Sequence, residues 1–156
     1  MGLVASEKDL ILAQFVNEKS MEFVFKSLKL QENVVRSKNG ILVEVARQLQ
    51  LYFKGKLRQY SLPLKPTGTP FQKRVWRELR SIPYGATRSY HEIAQAIGNA
   101  RAARAVGLAC NANPIAIIIP CHRVVGTDGD PTGYSAGVEK KLRLIELENR
   151  SRDDRP

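Results

Sequence analysis

The sequence predicts an α+β protein: a small N-terminal α/β domain over residues 1–62, then a mostly helical C-terminal domain over residues 63–156. Three observations predict it. Two apolar runs with a polar turn between them open the chain, as in a β-hairpin. The segment Leu62-Pro63-Leu64-Lys65-Pro66-Thr67-Gly68-Thr69-Pro70 carries three prolines and a glycine in nine residues. Neither a helix interior nor a central strand accepts that composition, so it marks the domain boundary. Beyond it, capping residues and helix-period apolar stripes recur.

Taken in order, Leu10–Val16 and Met21–Leu28 are the first two strands, joined by Asn17-Glu18-Lys19-Ser20. Ile41, Val45, Leu49 and Tyr52 recur at helical spacing and Gly55 follows as a stop, so residues 40–53 form a helix. Thr69 caps the next helix, with Pro70 suited to its first turn. Phe71, Val75, Leu79 and Ile82 are its buried stripe, and Pro83-Tyr84-Gly85 ends it. Ser89, with Glu92 three residues on, is a capping box that opens a helix running through Ile97, and Gly98 stops it. Residues 101–111 form a further helix, mostly Ala, Gly, Val and Arg. Two short helices joined by Gly98-Asn99-Ala100 fit a helix-turn-helix; the alternative is an ordinary helix pair packed on alanine. The tail from Arg150 to Pro156 is charged and expected to fray.

Composition narrows the function. Apolar residues make up 43% and charged residues 26% of the 156, which suits a packed chain. Two cysteines, Cys110 and Cys121, cannot form a disulfide scaffold of the secreted type. With only His91 and His122 beside them and no CxxC pair, a structural zinc site is not expected. The longest wholly apolar run, Ile115–Ile119, is far too short for a membrane span, and Met1–Leu12 lacks a signal-peptide core. The expectation is a reduced, cytoplasmic protein (nuclear if eukaryotic). Its net charge of +10, from 25 Lys and Arg against 15 Asp and Glu, suits a polyanionic partner. Residues 71–123 hold eight basic side chains, seven of them Arg, against Glu78 and Glu92. Arginine grips phosphate and stacks on bases, so this stretch suits nucleic acid; a merely basic surface is the alternative.

The second helix of the pair would read DNA with Arg101 and Arg104, and its small residues Ala102, Ala103, Ala105 and Gly107 let a backbone come close. After it, Asn113-Pro114 leads into four isoleucines in five residues, a buried strand or extended segment that Pro120 stops. Cys121-His122-Arg123 stands at its end. A thiol is nucleophilic only as thiolate, and a nearby imidazole and positive charge raise that fraction. The alternative is a buried structural cysteine, the reading that suits Cys110 inside its alanine-rich helix.

The string Ile119-Pro120-Cys121-His122-Arg123-Val124-Val125, preceded by Arg104-Ala105-Val106-Gly107 and Asn113-Pro114, resembles the O6-alkylguanine-DNA alkyltransferase family of suicidal repair methyltransferases. Tyr84-Gly85, Ser89-Tyr90 and Ala94 resemble the opening of that family's helix-turn-helix. Gly133-Tyr134-Ser135-Ala136-Gly137 resembles its Gly-Tyr-Ser-Gly-Gly loop, and Leu147-Glu148 the close of its last helix. The match runs from about Phe71 to Glu148; in the first 60 residues it is loose, chiefly at Leu51–Lys56.

The resemblance implies a ribonuclease-H-like N-terminal domain and a winged helix-turn-helix-like C-terminal one. It implies that the protein flips out O6-alkylguanine, and O4-alkylthymine, and transfers the alkyl group irreversibly and stoichiometrically to Cys121. Glu148, His122 and a bridging water would form a relay with His122 as base, and Tyr90 would donate near the base N3. Asn113 would hold the Cys-His segment. Tyr134, Ser135, Val124 and Tyr90 would line the alkylguanine pocket. A base within a duplex is beyond a buried thiol, so it must be flipped. Arg104 resembles the intercalating finger, and Ala102, Ala103 and Gly107 would let the helix enter the minor groove. Arg101, Ser89, Arg74, Arg77 and Arg88 are candidates for contact with the DNA strand. Double-stranded DNA read without sequence preference, a monomeric state, no membrane, no metal and no cofactor complete the expectation. Residues 1–62 lack the Cys and His of the zinc site some relatives carry, and Ala136 stands where the family often has Gly or Arg. A transcription regulator, a damage sensor and a cysteine hydrolase are the rivals. Cys121 argues against a sensor, which carries another residue there, and an adjacent Cys-His pair supplies no oxyanion hole for a hydrolase.

Overall fold

The computed structural model describes residues 1–15, 39–131 and 133–153. Two short antiparallel strands open it, β1 (Gly2–Ala5) and β2 (Leu10–Gln14), with Gly2 opposite Gln14 and an irregularity between Val4 and Ala5. β2 falls within the first predicted strand. Its described partner is β1, which the sequence did not single out; the predicted second strand, Met21–Leu28, lies outside the described residues. α1 (Gly40–Phe53) covers the predicted helix and buries Val45, Leu49 and Tyr52; the Asn39 side chain caps it by accepting from the Leu42 N–H at 2.8 Å.

The free edge of β2 ties the two halves of the chain together. Leu10 N–H donates to Pro63 O, and Lys65 N–H donates to Leu10 O, both at 2.9 Å. Further along, Ala13 exchanges backbone bonds with Pro114 and Ala116 at 2.9 and 2.7 Å. The Gln14 side chain donates to the Asn113 carbonyl. β2 therefore fixes the start of the segment that carries Cys121.

α2 (Pro70–Leu79) has a complete capping box, Thr69 with Gln72, and buries Val75, Trp76 and Leu79. Gly68 lies against the Trp76 ring so closely that a Cβ there would sit 2.4 Å from Cη2, so the linker admits no side chain at that point. Trp76 Nε1 donates to Ala109 O at 2.8 Å and locks α2 to α4 (Ala103–Asn111). β3 (Arg88–Ser89) leads directly into α3 (Tyr90–Ala96), whose Ser89–Glu92 capping box is present as predicted. Gly98 has φ of +78°, the left-handed turn of a helix stop. The predicted helix at 101–111 starts as a 3₁₀ turn, Ala100–Ala102, before α4.

Ile115–Ile119 are buried as expected but do not form a regular strand. Ile117 has φ of +72°, and Ile119 N–H donates back to Ile115 O at 2.9 Å, so the run folds into a tight turn. A β-branched residue in that region is strained by roughly 1–3 kcal/mol, and only surrounding packing holds it there. A second 3₁₀ turn, Cys121–Arg123, feeds β4 (Val124–Val125), which pairs in parallel with β3: Arg88 opposite Val124, Ser89 opposite Val125. α5 (Val138–Asp153) closes the fold and continues past Arg150, which pairs with Glu146, so the predicted fraying does not begin at Arg150. One apolar cluster runs through both halves, from Leu10, Val45 and Tyr52 to Val75, Ile93, Val106 and Leu144.

Candidate active site

The two-residue β3–β4 pair sets the site. Tyr90 follows β3 immediately and Cys121-His122-Arg123 precedes β4 immediately, so one backbone ladder brings them together. Cys121 is buried, 4% exposed, at the head of its turn, with its N–H bonded to Ile119 O at 2.9 Å. Asn113 holds this turn from three sides. Its Nδ2 donates to Cys121 Sγ at 3.1 Å and to Ile119 O at 2.8 Å, while its Oδ1 accepts from Ile115 N–H at 3.0 Å.

Glu148, from α5, is the hub of a second, fully buried group. Its Oε1 lies 2.8 Å from His122 Nε2 and accepts from the Tyr52 hydroxyl at 2.7 Å and from Arg123 Nη2 at 3.0 Å. Its Oε2 accepts from Arg123 Nε and from the Gly85 N–H, each at 2.9 Å. Arg123 Nη1 donates to Ile82 O at 2.6 Å. Burial works against the carboxylate, yet the hydrogen bonds of His122 and Arg123 and the charge of Arg123 outweigh it and lower its pKa to about 2. Burial pushes the His122 pKa below its ordinary value, and Glu148 offsets only part of that, so the ring is neutral at physiological pH. With Nε2 turned to Glu148, the buried Nδ1 has no hydrogen-bond partner among the described residues.

Burial also raises the Cys121 pKa; the Asn113 bond and the charge of Lys141 work the other way. Lys141 is buried on α5, with Nζ 5.8 Å from the centre of the Tyr90 ring. Tyr90 is half-buried, and burial, reinforced by the neighbouring Cys110 and Cys121, pushes its pKa up to about 12, so it is a neutral phenol able to donate. The predicted pocket loop reaches the same place: Gly133 has φ of +84°, and a Cβ there would lie 3.0 Å from Tyr90 Oη. Tyr134 is buried, Ser135 exposed, and Val124 wholly buried in β4.

Arg101, in the 3₁₀ turn before α4, is exposed, and so are Arg104 and Leu108 on α4, at the spacing of one helix face. Ala103 and Gly107 are half-buried, and Gly107 sits over the Tyr90 ring, 3.8 Å from a Cβ in its place. Ala102 is buried in the 3₁₀ turn, 9% exposed, and so packs inward rather than outward. The Ser89 hydroxyl is taken up by its cap, accepting from Glu92 N–H at 3.1 Å and donating to Glu92 Oε2 at 2.8 Å. Arg88 is ion-paired with Glu78 at 2.7 Å. Arg123, counted with the basic stretch, is buried and spent on Glu148.

Two sequence profiles match consecutive stretches of the chain: "6-O-methylguanine DNA methyltransferase, ribonuclease-like domain" over residues 2–66 and "6-O-methylguanine DNA methyltransferase, DNA binding domain" over residues 70–150. The chain belongs to the 6-O-methylguanine DNA methyltransferase family. The Methanosarcina barkeri methylated-DNA–protein-cysteine methyltransferase is 62% identical over 105 residues, covering 67% of this chain and 66% of the relative, about two thirds of its length. The Mycobacterium leprae protein of the same name is 54% identical over 110 residues, covering 70% and 67%. The fold is similar to that of Mycobacterium tuberculosis OGT in complex with DNA, with a TM-score of 0.79 and 41% identity over 96% of this chain and 86% of that one. The Methanococcus jannaschii O6-methylguanine DNA methyltransferase gives a TM-score of 0.67 at 30% identity, covering 95% and 87%. The predicted fold class stands: a small ribonuclease-like N-terminal domain and a mostly helical DNA-binding C-terminal one.

Within this family member, sequence reasoning missed three partners of Glu148. Tyr52 and the Gly85 N–H reach Glu148 from 96 and 63 residues away, and no local signal marks either. Arg123, read as a positive charge beside Cys121 and as part of the basic stretch, is the ion-pair partner of Glu148. Leu108, 65% exposed beside Arg104 on α4, is a large apolar side chain on a basic face, a signal that helical spacing from Arg104 could have found.

Proposed function

We propose that this chain is a DNA repair protein that takes up one alkyl group from O6-alkylguanine, and from O4-alkylthymine, onto Cys121 and is spent by doing so. The carrying observation is the buried Cys121 thiol, hydrogen-bonded to Asn113 at 3.1 Å, beside a His122–Glu148 pair at 2.8 Å. The thiol gives its proton through a water to His122 Nδ1. The sulfur then attacks the alkyl carbon, an S–C bond forms, and the C–O6 bond breaks. Guanine departs as its anion, with Tyr90 donating a hydrogen bond at N3 to the charge that builds there, and takes a proton at N1 from solvent to reach the keto form. Glu148, held ionised by Arg123, stabilises the histidine cation that results. Val124, Tyr134 and Ser135 border the base. Asn113 positions the acceptor and makes no contact with the base.

The protein binds duplex DNA through α4 in the minor groove, without sequence preference and as a monomer. Arg104 fills the gap left by the flipped base, the small residues Ala103 and Gly107 allow the close approach, and Arg101, in the 3₁₀ turn before α4, contacts phosphate. The division into domains falls at residue 63, within the proline-rich linker. A thiol that must stay reduced until used places the protein in the cytoplasm or its nuclear equivalent. The test is mass spectrometry after mixing with a duplex holding one O6-methylguanine. One added methyl per protein, on the Cys121 peptide and without turnover, is expected. An unchanged mass with the duplex still bound would favour a sensor and sink the proposal.

A further inference from the structure

Leu108 is the most exposed large apolar side chain among the described residues, and the fold offers it no cover. α4 buries Val106, Ala109 and Cys110 on its other side. The bond from Trp76 Nε1 to the Ala109 carbonyl at 2.8 Å holds the helix against a roll that would bring Leu108 inward. Its neighbours on the helix surface, three and four residues away, are Arg104, Ala105, Asn111 and Ala112, so no bulky apolar group shields it. Single exposed apolar residues are ordinary on protein surfaces. Val43, Phe53 and Leu142 are further examples, but each stands on a helix that carries carboxylates. α4 carries none, and the 3₁₀ turn before it adds Arg101 to the same exposed face. A leucine beside two guanidinium groups, on a face without negative charge, suits a partner that is anionic at its rim and apolar within.

The minor groove of a duplex has that chemistry: phosphates form its rims and deoxyribose C–H groups its walls, and it accepts apolar side chains as wedges. Four helical residues advance about 6 Å, close to two nucleotide steps of about 3.4 Å each. We infer, on the basis of the docking proposed for α4, that Leu108 is a second side chain inserted into the groove, packed on the deoxyribose wall about two nucleotides from the gap that Arg104 fills. Arg101 and Arg104 supply attraction that salt weakens. Leu108 supplies an apolar contact that salt does not screen and holds the groove open beside the flipped nucleotide.

The affinity of the full chain for an undamaged duplex, measured across a salt series, tests this. Leu108→Ala should raise Kd on the order of tenfold at every salt concentration, with the slope against log salt unchanged. Leu108→Met keeps the volume and should stay within about threefold of the native chain. Arg101→Ala should instead lower the slope by about one. Thermal melts that coincide with that of the native chain show that the variants keep the fold. A Kd for Leu108→Ala within about twofold of the native value, or a loss accompanied by a changed slope, overturns the assignment while leaving the docking of α4 in place. If Arg101→Ala and Arg104→Ala both leave duplex binding untouched, α4 is not the DNA face, and the proposed docking falls together with the role of Leu108.

Discussion

Replacing Glu148 by glutamine should be among the most damaging isosteric changes in the molecule. Shape is kept, but one carboxylate oxygen becomes an NH₂ group facing only donors: either Gly85 N–H and Arg123 Nε, or Tyr52, His122 and Arg123 Nη2. Arg123 is then buried without its counter-charge, a loss typically worth about 3–5 kcal/mol. Proton linkage gives a figure from another direction. A carboxyl at about 2 when folded and 4.5 otherwise contributes roughly 3 kcal/mol at neutral pH. Its folded pKa is depressed, so that contribution is present above pH 4.5 and is lost as pH falls toward 2. Urea unfolding of both proteins at pH 7 should therefore show a gap of about 3–5 kcal/mol. At pH 3.5 the gap should narrow by about 1.4 kcal/mol, because unfolding of the glutamate chain, and not of the glutamine variant, takes up a proton at this position. A gap below about 1 kcal/mol at neutral pH, or one that does not change with pH, would show that Glu148 is not the charged hub described.

Three further outcomes are expected. Cys121→Ser should abolish methyl transfer yet keep affinity for a lesion duplex in a gel-shift assay; if lesion affinity disappears too, the thiol has a folding role instead. Arg104→Ala should slow repair of duplex DNA by an order of magnitude or more while barely changing reaction with free O6-benzylguanine, and equal losses in the two rates would refute the finger assignment. Because burial lowers the His122 pKa, the transfer rate should hold through pH 6.5 and fall only below it; a stopped-flow rate that already halves near pH 7 would remove His122 from the relay.

The elements written in local code were legible in the sequence. Ser89 and Glu92 stand three residues apart and declare their cap, and Thr69-Pro70 fixes the start of α2 in the same way. The Pro-Cys-His-Arg string pointed to the thiol because it is contiguous. What depends on distant partners was not legible. Nothing near Tyr52 announces a hydroxyl bond to a residue 96 positions on. Arg123 has the composition of a DNA contact and the location of a core ion pair; burial alone separates the two, and burial is a property of the fold. The isoleucine run failed for another reason. Four β-branched residues in five favour a strand, but bonds from Asn113 to Ile115 and Ile119, with Ile119 bonded back to Ile115, bend it into a turn through Ile117.

The threefold grip of Asn113 bears on what happens after the reaction. Its carbonyl is tied to Gln14 of β2, its amide oxygen to Ile115, and its amide nitrogen to both Ile119 and Cys121. An alkyl group on the sulfur adds bulk in a packed space directly against the Asn113 amide that donates to it, so the same event strains the join between the protein's two halves. The folded population thus becomes a dosimeter. Each lesion removed is written into one molecule as lowered stability, and the melting curve of a partly reacted sample should resolve into used and unused fractions whose ratio counts the damage met.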